Sequence, residues 1–239
     1  MKNNLNIGIL LTDHVLENLQ EKHGDQADFY KKLFKKLDSS ATLKIFDVVE
    51  GEYPAKRDEY DGYIITGSRL SVYDDEQWIA DLEEYIRQLH KYRKPLIGIC
   101  FGHQLIAQAL GGKSGDSDKG WTVGIQNYNF TTQFPWVKDI RPSVALIHSH
   151  KDQVKTLPPG AHLVAGNKQV PIAMYYIDRH IMSMQGHPEF TSEYALDVAT
   201  GRKEILGDTL FQSVKKSLLK DKADNMEVAK WWIDFFRKD

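Results

Sequence analysis

The chain has 239 residues, 41% of them hydrophobic and 27% charged, with a formal net charge of −2, the balance of a globular protein that can bury a sizeable core. So small a charge supplies no basic field for nucleic acid, and the amino-terminal apolar run of about six residues is too short for a signal sequence or a membrane span. A cytoplasmic protein with a single free thiol, Cys100, is therefore expected.

Runs rich in Ile, Val and Leu at 6–11, 43–49, 63–66 and 95–99 read as strands buried on both faces. Between them, Phe29, Tyr30, Leu33, Phe34 and Leu37 share one helical face, and Trp78, Ile79, Leu82, Tyr85, Ile86 and Leu89 share another. Strand and helix in alternation predict an α/β fold with a mostly parallel sheet, covered on both faces and joined by right-handed crossovers. Beyond residue 120 the strand candidates at 122–130, 144–148, 162–165, 172–177 and 180–184 lie close together with turn residues between them, which predicts some antiparallel pairing. Two helices are expected to close the chain. In the last, Val228, Trp231, Trp232, Phe235 and Phe236 form one stripe, expected to dock on the core, the alternative being a homodimer or partner surface. With no repeat, low-complexity tract or linker, one domain is expected over residues 1–239, with a core to about residue 200 and C-terminal helices over 201–239.

The segment GICFGHQ, residues 98–104, places Cys100 where an apolar strand gives way to a helical pattern. G-x-C-x-G at such a junction is the thiol form of a nucleophile elbow, whose small flanking residues tolerate the sharp turn that presents the reactive side chain. The following helix aims its unpaired N–H groups at the sulfur, a setting that favours a thiolate nucleophile. A buried structural cysteine in a glycine-rich turn is the plainer alternative. A nucleophile needs a proton carrier, and among nine histidines His187 stands out in MQGHPEF, where Pro188 stiffens the backbone and Glu189 is near enough to accept the second imidazole N–H. His103 is a rival by proximity, although its place inside the new helix suits packing beneath the elbow.

GICFGHQ followed about 85 residues later by QGHPE resembles the class I (triad) glutamine amidotransferase family, in stand-alone members similar to the GMP synthetase amidotransferase domain and the γ-glutamyl peptidases. The resemblance implies an open, flavodoxin-like sheet. It implies Cys100 as nucleophile, His187 as general base and acid, and Glu189 as its orienting residue. It also implies oxyanion-hole N–H groups from Gly67, in YIITGSRLSVYDD, and from Phe101. Gln104, together with Ser149 and His150 of HSHKDQV, falls at positions that hold glutamine in the family. TGSRLSVYDD departs from the family's Gly-Gly-Pro pattern, and Arg69 and Tyr73 just beyond either select a larger substrate or pack on the surface.

The activity so implied is hydrolysis of the glutamine side-chain amide through a γ-glutamyl thioester, without metal or other cofactor. The expected ligand is glutamine or another γ-glutamyl small molecule, with a separate ammonia-accepting synthetase as partner. The alternatives are an independent γ-glutamyl peptidase and a catalytically silent binding module.

Overall fold

A computed structural model describes residues 4–138 and 141–237. Strands β1 (Asn6–Leu11), β2 (Thr42–Asp47), β3 (Gly62–Ile65), β4 (Leu96–Ile99) and β11 (Ile181–Met184) run parallel in the order β2, β1, β3, β4, β11. The sheet then continues antiparallel through β10 (Met174–Ile177), β9 (Ala161–Gly166), β6 (Thr122–Phe130) and β7 (Ser143–His150). Every strand expected from the sequence is present within a few residues. A separate antiparallel pair, β5 (Lys113–Asp116) with β8 (Asp152–Thr156), was not expected, because its residues are mostly polar and lack a clean alternation.

Alternating side chains serve two cores. Ile7, Ile9, Ile64, Ile97 and Ile99 belong to one buried cluster; Leu10, Tyr63, Ile65 and Leu96 belong to the other. On the first face lie α2 (Gln26–Leu37) and α7 (Asn225–Arg237); on the second lie α3 (Gln77–Lys91) and α4 (Phe101–Ala109). The aromatic stripe of α7 is wholly in the first core: Trp232 is fully buried and stacks on Tyr30 with ring centres 6.2 Å apart. Those side chains are consequently not a surface on which another copy of the chain could dock.

Helix α2 starts where it does because Asp25 caps it, accepting the Gln26 N–H while the Asp28 carboxylate accepts the Asp25 N–H. Helix α1 (Glu17–His23) escaped the sequence reading because only His23 in it is buried, leaving no apolar stripe to detect. The two helices expected over 201–239 are α6 (Lys203–Lys220) and α7; a further helix before them, α5 (Ser192–Gly201), was not expected. The break between α5 and α6 is a single residue, Arg202, at φ −104° and ψ 11°, and α6 is itself kinked at Gly207, φ 74°. No described helix is long and apolar enough to cross a membrane.

Candidate functional site

The carboxyl ends of β1, β3, β4 and β11 converge on one crevice, the usual position of a site in an open α/β sheet. Cys100 sits there at φ 51° and ψ −101°, between β4 and α4, a backbone conformation that costs a non-glycine residue on the order of 1–3 kcal/mol. The turn is anchored by the Cys100 N–H donating to Met184 C=O at 3.0 Å and the Gly102 N–H donating to Thr66 C=O at 3.2 Å. Gly102 lies so close to β3 that a β-carbon there would be 2.6 Å from the Ile65 carbonyl oxygen. Gly102→Ala is therefore expected to destabilise the fold by about 1–3 kcal/mol through overpacking against backbone, readable as a lowered melting temperature; an unchanged melt would show that the elbow has slack.

His187 follows β11. Its N–H donates to Ile147 C=O at 2.8 Å, and its ring stacks on Phe190 with centres 3.9 Å apart. Nδ1 lies 2.7 Å from Glu189 Oε1. A carboxylate only accepts, so Nδ1 carries the donated hydrogen and Nε2 is left for the thiol side. Gly67 separates imidazole and cysteine so narrowly that a β-carbon on it would sit 2.9 Å from His187 Cε1 and 3.5 Å from Cys100 Cβ. Burial opposes charge on His187, but the Glu189 carboxylate and then Cys100 more than compensate, raising its pKa to about 10. A cation held beside sulfur is the setting in which a cysteine becomes nucleophilic. Cys100, His187 and Glu189 are thus brought together, all buried, at 5%, 3% and 6% exposure.

The Gly67 carbonyl is held from behind, accepting from Thr12 Oγ1 and from Gln26 Nε2, both at 2.9 Å. In a trans peptide this turns the Ser68 N–H the opposite way. Gly67, Ser68 and Phe101 have backbone N–H groups without a hydrogen-bond partner among the described residues, and all three line the cavities at Cys100. Gln185 is a further neighbour, donating from Nε2 to Cys100 Sγ at 3.5 Å and accepting from Gln104 Nε2 at 3.2 Å. Gln104 also donates to Asp152 C=O at 2.8 Å.

His150 lines the site, but both its ring nitrogens are engaged. Nδ1 donates to Asp152 C=O at 2.8 Å, so Nε2 accepts, at 3.1 Å, from His148 Nδ1; His148 Nε2 in turn accepts from the Tyr128 hydroxyl at 2.8 Å. Burial pushes the His150 pKa down to about 3, keeping the relay neutral. His103 packs beneath the elbow, with Nδ1 2.6 Å from Ser183 Oγ and Nε2 3.1 Å from Ile172 C=O, its pKa likewise pushed down to about 3 by burial. Ser149 accepts from Arg202 Nη1 at 2.8 Å. Arg69 grips Asp13 with Nε and Nη2, both at 2.8 Å, at the crevice rim.

Gln26, Gln185 and Arg202 escaped the sequence reading. So did Tyr30, a fully buried hydroxyl whose pKa is raised well above normal by desolvation and then by Glu189. Gln26 and Arg202 lie outside any motif and carry no periodic signal; Gln185 opens the QGHPE motif but was given no role there, and Tyr30 was visible only as an apolar position of α2.

Among the described residues, two cavities open onto the thiol. The larger, about 490 Å³, runs past Gly67, His187, Phe190 and Tyr194 toward Leu16 and Leu19. The smaller, about 290 Å³, is lined by Phe101, Gln104, Ser149, His150 and Asp152, with Tyr73 at its edge. Both are bordered by Ser68, Arg69, Cys100, Ser149 and Arg202.

The family model described as "Glutamine amidotransferase class-I" matches residues 27–197. Gamma-glutamyl peptidase 2 of Arabidopsis thaliana is 27% identical over 224 residues, covering 89% of this chain and 88% of that one. The glutamine-hydrolyzing GMP synthase subunit of Sulfolobus acidocaldarius is 30% identical over 132 residues, 55% of this chain and 68% of that one. A glutamine amidotransferase of Thermotoga maritima has a similar fold, with a TM-score of 0.72 at 16% identity over 97% of this chain and 96% of that one.

Proposed function

Since the chain belongs to the class-I glutamine amidotransferase family, whose model spans residues 27–197, we propose that it hydrolyses the γ-carbonyl C–N bond of γ-glutamyl amides whose amine is larger than ammonia. The observation that carries this reading is which cavity the imidazole lines. His187 borders the 490 Å³ cavity and not the 290 Å³ one. A leaving amine must lie against the group that protonates it, so the amine side of the substrate belongs in the larger space and the glutamyl side in the smaller, beside Gln104 and His150. Ammonia, similar in size to water, needs roughly 30 Å³. The larger cavity exceeds that many times over, and Leu16, Leu19, Phe190 and Tyr194 suit an apolar or aromatic amine component.

In this mechanism Cys100 sulfur attacks the γ-carbonyl carbon, and the oxygen gains negative charge against the N–H groups of Phe101 and the Gly67–Ser68 segment. His187 gives its proton to the nitrogen as the C–N bond breaks, leaving a γ-glutamyl thioester. Water then attacks the thioester carbon, His187 takes the water proton, and glutamate departs as the thiol is restored. Glu189 holds the imidazole tautomer throughout.

Hydrolysis of glutamine itself, with ammonia passed to a separate synthetase, is the second reading, favoured by the likeness to the GMP synthase subunit of Sulfolobus acidocaldarius. Amine release from glutamine and from γ-glutamyl-leucine and γ-glutamyl-phenylalanine, with Cys100→Ala as control, separates the two. The peptides are expected to exceed glutamine in kcat/KM by about tenfold or more, the scale on which an apolar pocket discriminates. Cys100-dependent turnover of glutamine with no gain from the larger amines would favour the second reading instead.

A further inference from the structure

Arg202 stands alone at the break between α5 and α6. Its guanidinium is oriented from two sides, by the 2.8 Å hydrogen bond to Ser149 Oγ and by the Trp121 ring, whose centre is 5.2 Å away. It borders both cavities, next to Cys100. Among the described residues no carboxylate forms an ion pair with it. The Cys100 sulfur is the foremost negative group in its field, but that charge faces His187; Asp13, a weaker contributor, is already gripped by Arg69, and Asp197, also on the larger cavity, is taken by Lys22 and His23. A guanidinium has five N–H donors in a fork that fits a carboxylate, and a partly desolvated cation without a counter-ion is costly until an anion joins it.

We propose that Arg202 receives a carboxylate of the substrate and thereby makes the enzyme selective for γ-glutamyl compounds with a free carboxylate near the scissile bond. The inference rests on the reading of the site as a γ-glutamyl amide hydrolase and deepens it by naming a recognised group. The same fork suits two sources: the α-carboxylate of the glutamyl half, and the carboxylate of an amino acid serving as leaving amine.

The test compares kcat/KM for γ-glutamyl-phenylalanine, for the analogue amidated at the phenylalanine carboxyl, and for the analogue amidated at the glutamyl α-carboxyl. Wild type is expected to lose roughly 10- to 100-fold when one of these carboxyls is amidated, the scale of a charge-assisted hydrogen bond. In Arg202→Gln that preference should collapse to near unity, and in Arg202→Lys, which keeps the charge but not the fork, it should fall part of the way. Which amide shows the collapse identifies the carboxylate. Arg202→Gln could lose folding through its Trp121 contact; because the readout is a ratio between substrates, a reduced amount of folded enzyme leaves it unchanged, and Arg202→Lys is a second variant. A wild type indifferent to both amidations, or a ratio equal in wild type and Arg202→Gln, overturns the assignment. If this occurs while Cys100-dependent turnover of the dipeptide persists, the role of Arg202 falls and the hydrolase reading stands. Absence of Cys100-dependent turnover of every γ-glutamyl compound removes both.

Discussion

Replacing Cys100 with Ala is expected to lower turnover by roughly 10⁴-fold or more, and replacing His187 with Ala to be comparably severe, because nucleophile and proton carrier work as one unit. Neither loss should be a loss of fold. The Cys100 sulfur accepts a hydrogen bond from Gln185 at 3.5 Å and faces His187, while the elbow itself is held by backbone bonds to Met184 and Thr66 that alanine preserves. His187 contributes stacking on Phe190 and the Glu189 contact, so His187→Ala should cost stability without unfolding the chain. The double variant should be no less active than the worse single one. Amine release and a thermal melt on all three proteins check this. Independent effects that multiply in the double variant would mean that the two side chains do not share a reaction step.

Glu189→Gln keeps the shape of the side chain and removes its charge. Turnover is expected to fall by roughly 10²- to 10⁴-fold, less than for the thiol or the imidazole, since an orienting carboxylate contributes less than the groups that react. The pH profile is the more specific readout. With Glu189 in place the His187 pKa is raised to about 10, so the imidazolium persists through neutral pH and is lost only as pH rises through that value. Without the carboxylate charge the alkaline limb of kcat/KM should move down toward 6.5, the ordinary histidine value. Stability has the same sign: the pair's contribution is fully present below the unfolded value near 6.5 and disappears as pH climbs toward 10. An alkaline limb at the same pH in wild type and Glu189→Gln would detach Glu189 from His187 function.

The parts of this molecule legible in its sequence are those with local periodicity or a local motif. β1 was readable to the residue because its apolar run is bounded by polar residues, and β6 because Val123, Ile125, Tyr128 and Phe130 recur along a β-prone stretch between turn residues. The elbow was readable because two glycines flank a cysteine at a strand-to-helix junction, and both prove to be tightly packed: a β-carbon on Gly98 would meet Gly102 at 2.7 Å. The rest of the site is long-range and polar. Gln26 reaches Gly67 across 41 residues, and Arg202 reaches Ser149 across 53; no spacing rule announces either. The resemblance placed His150 at the substrate, and its ring does border the smaller cavity, but the relay from Tyr128 to Asp152 occupies its nitrogens. The two unequal cavities, on which the proposed preference for larger γ-glutamyl amides rests, draw lining residues from α1, the β5–β8 pair and the α5–α6 break, the elements with the weakest sequence signal.

The proposed chemistry turns on an acyl group carried by Cys100. The most direct measurement is acid quenching during turnover of γ-glutamyl-phenylalanine, followed by mass spectrometry of the peptide that contains residue 100. A γ-glutamyl adduct on Cys100, accumulating with substrate and absent from Cys100→Ala, is the predicted result. Turnover in Cys100→Ala at the wild-type rate, or an adduct found on a different side chain, would contradict it.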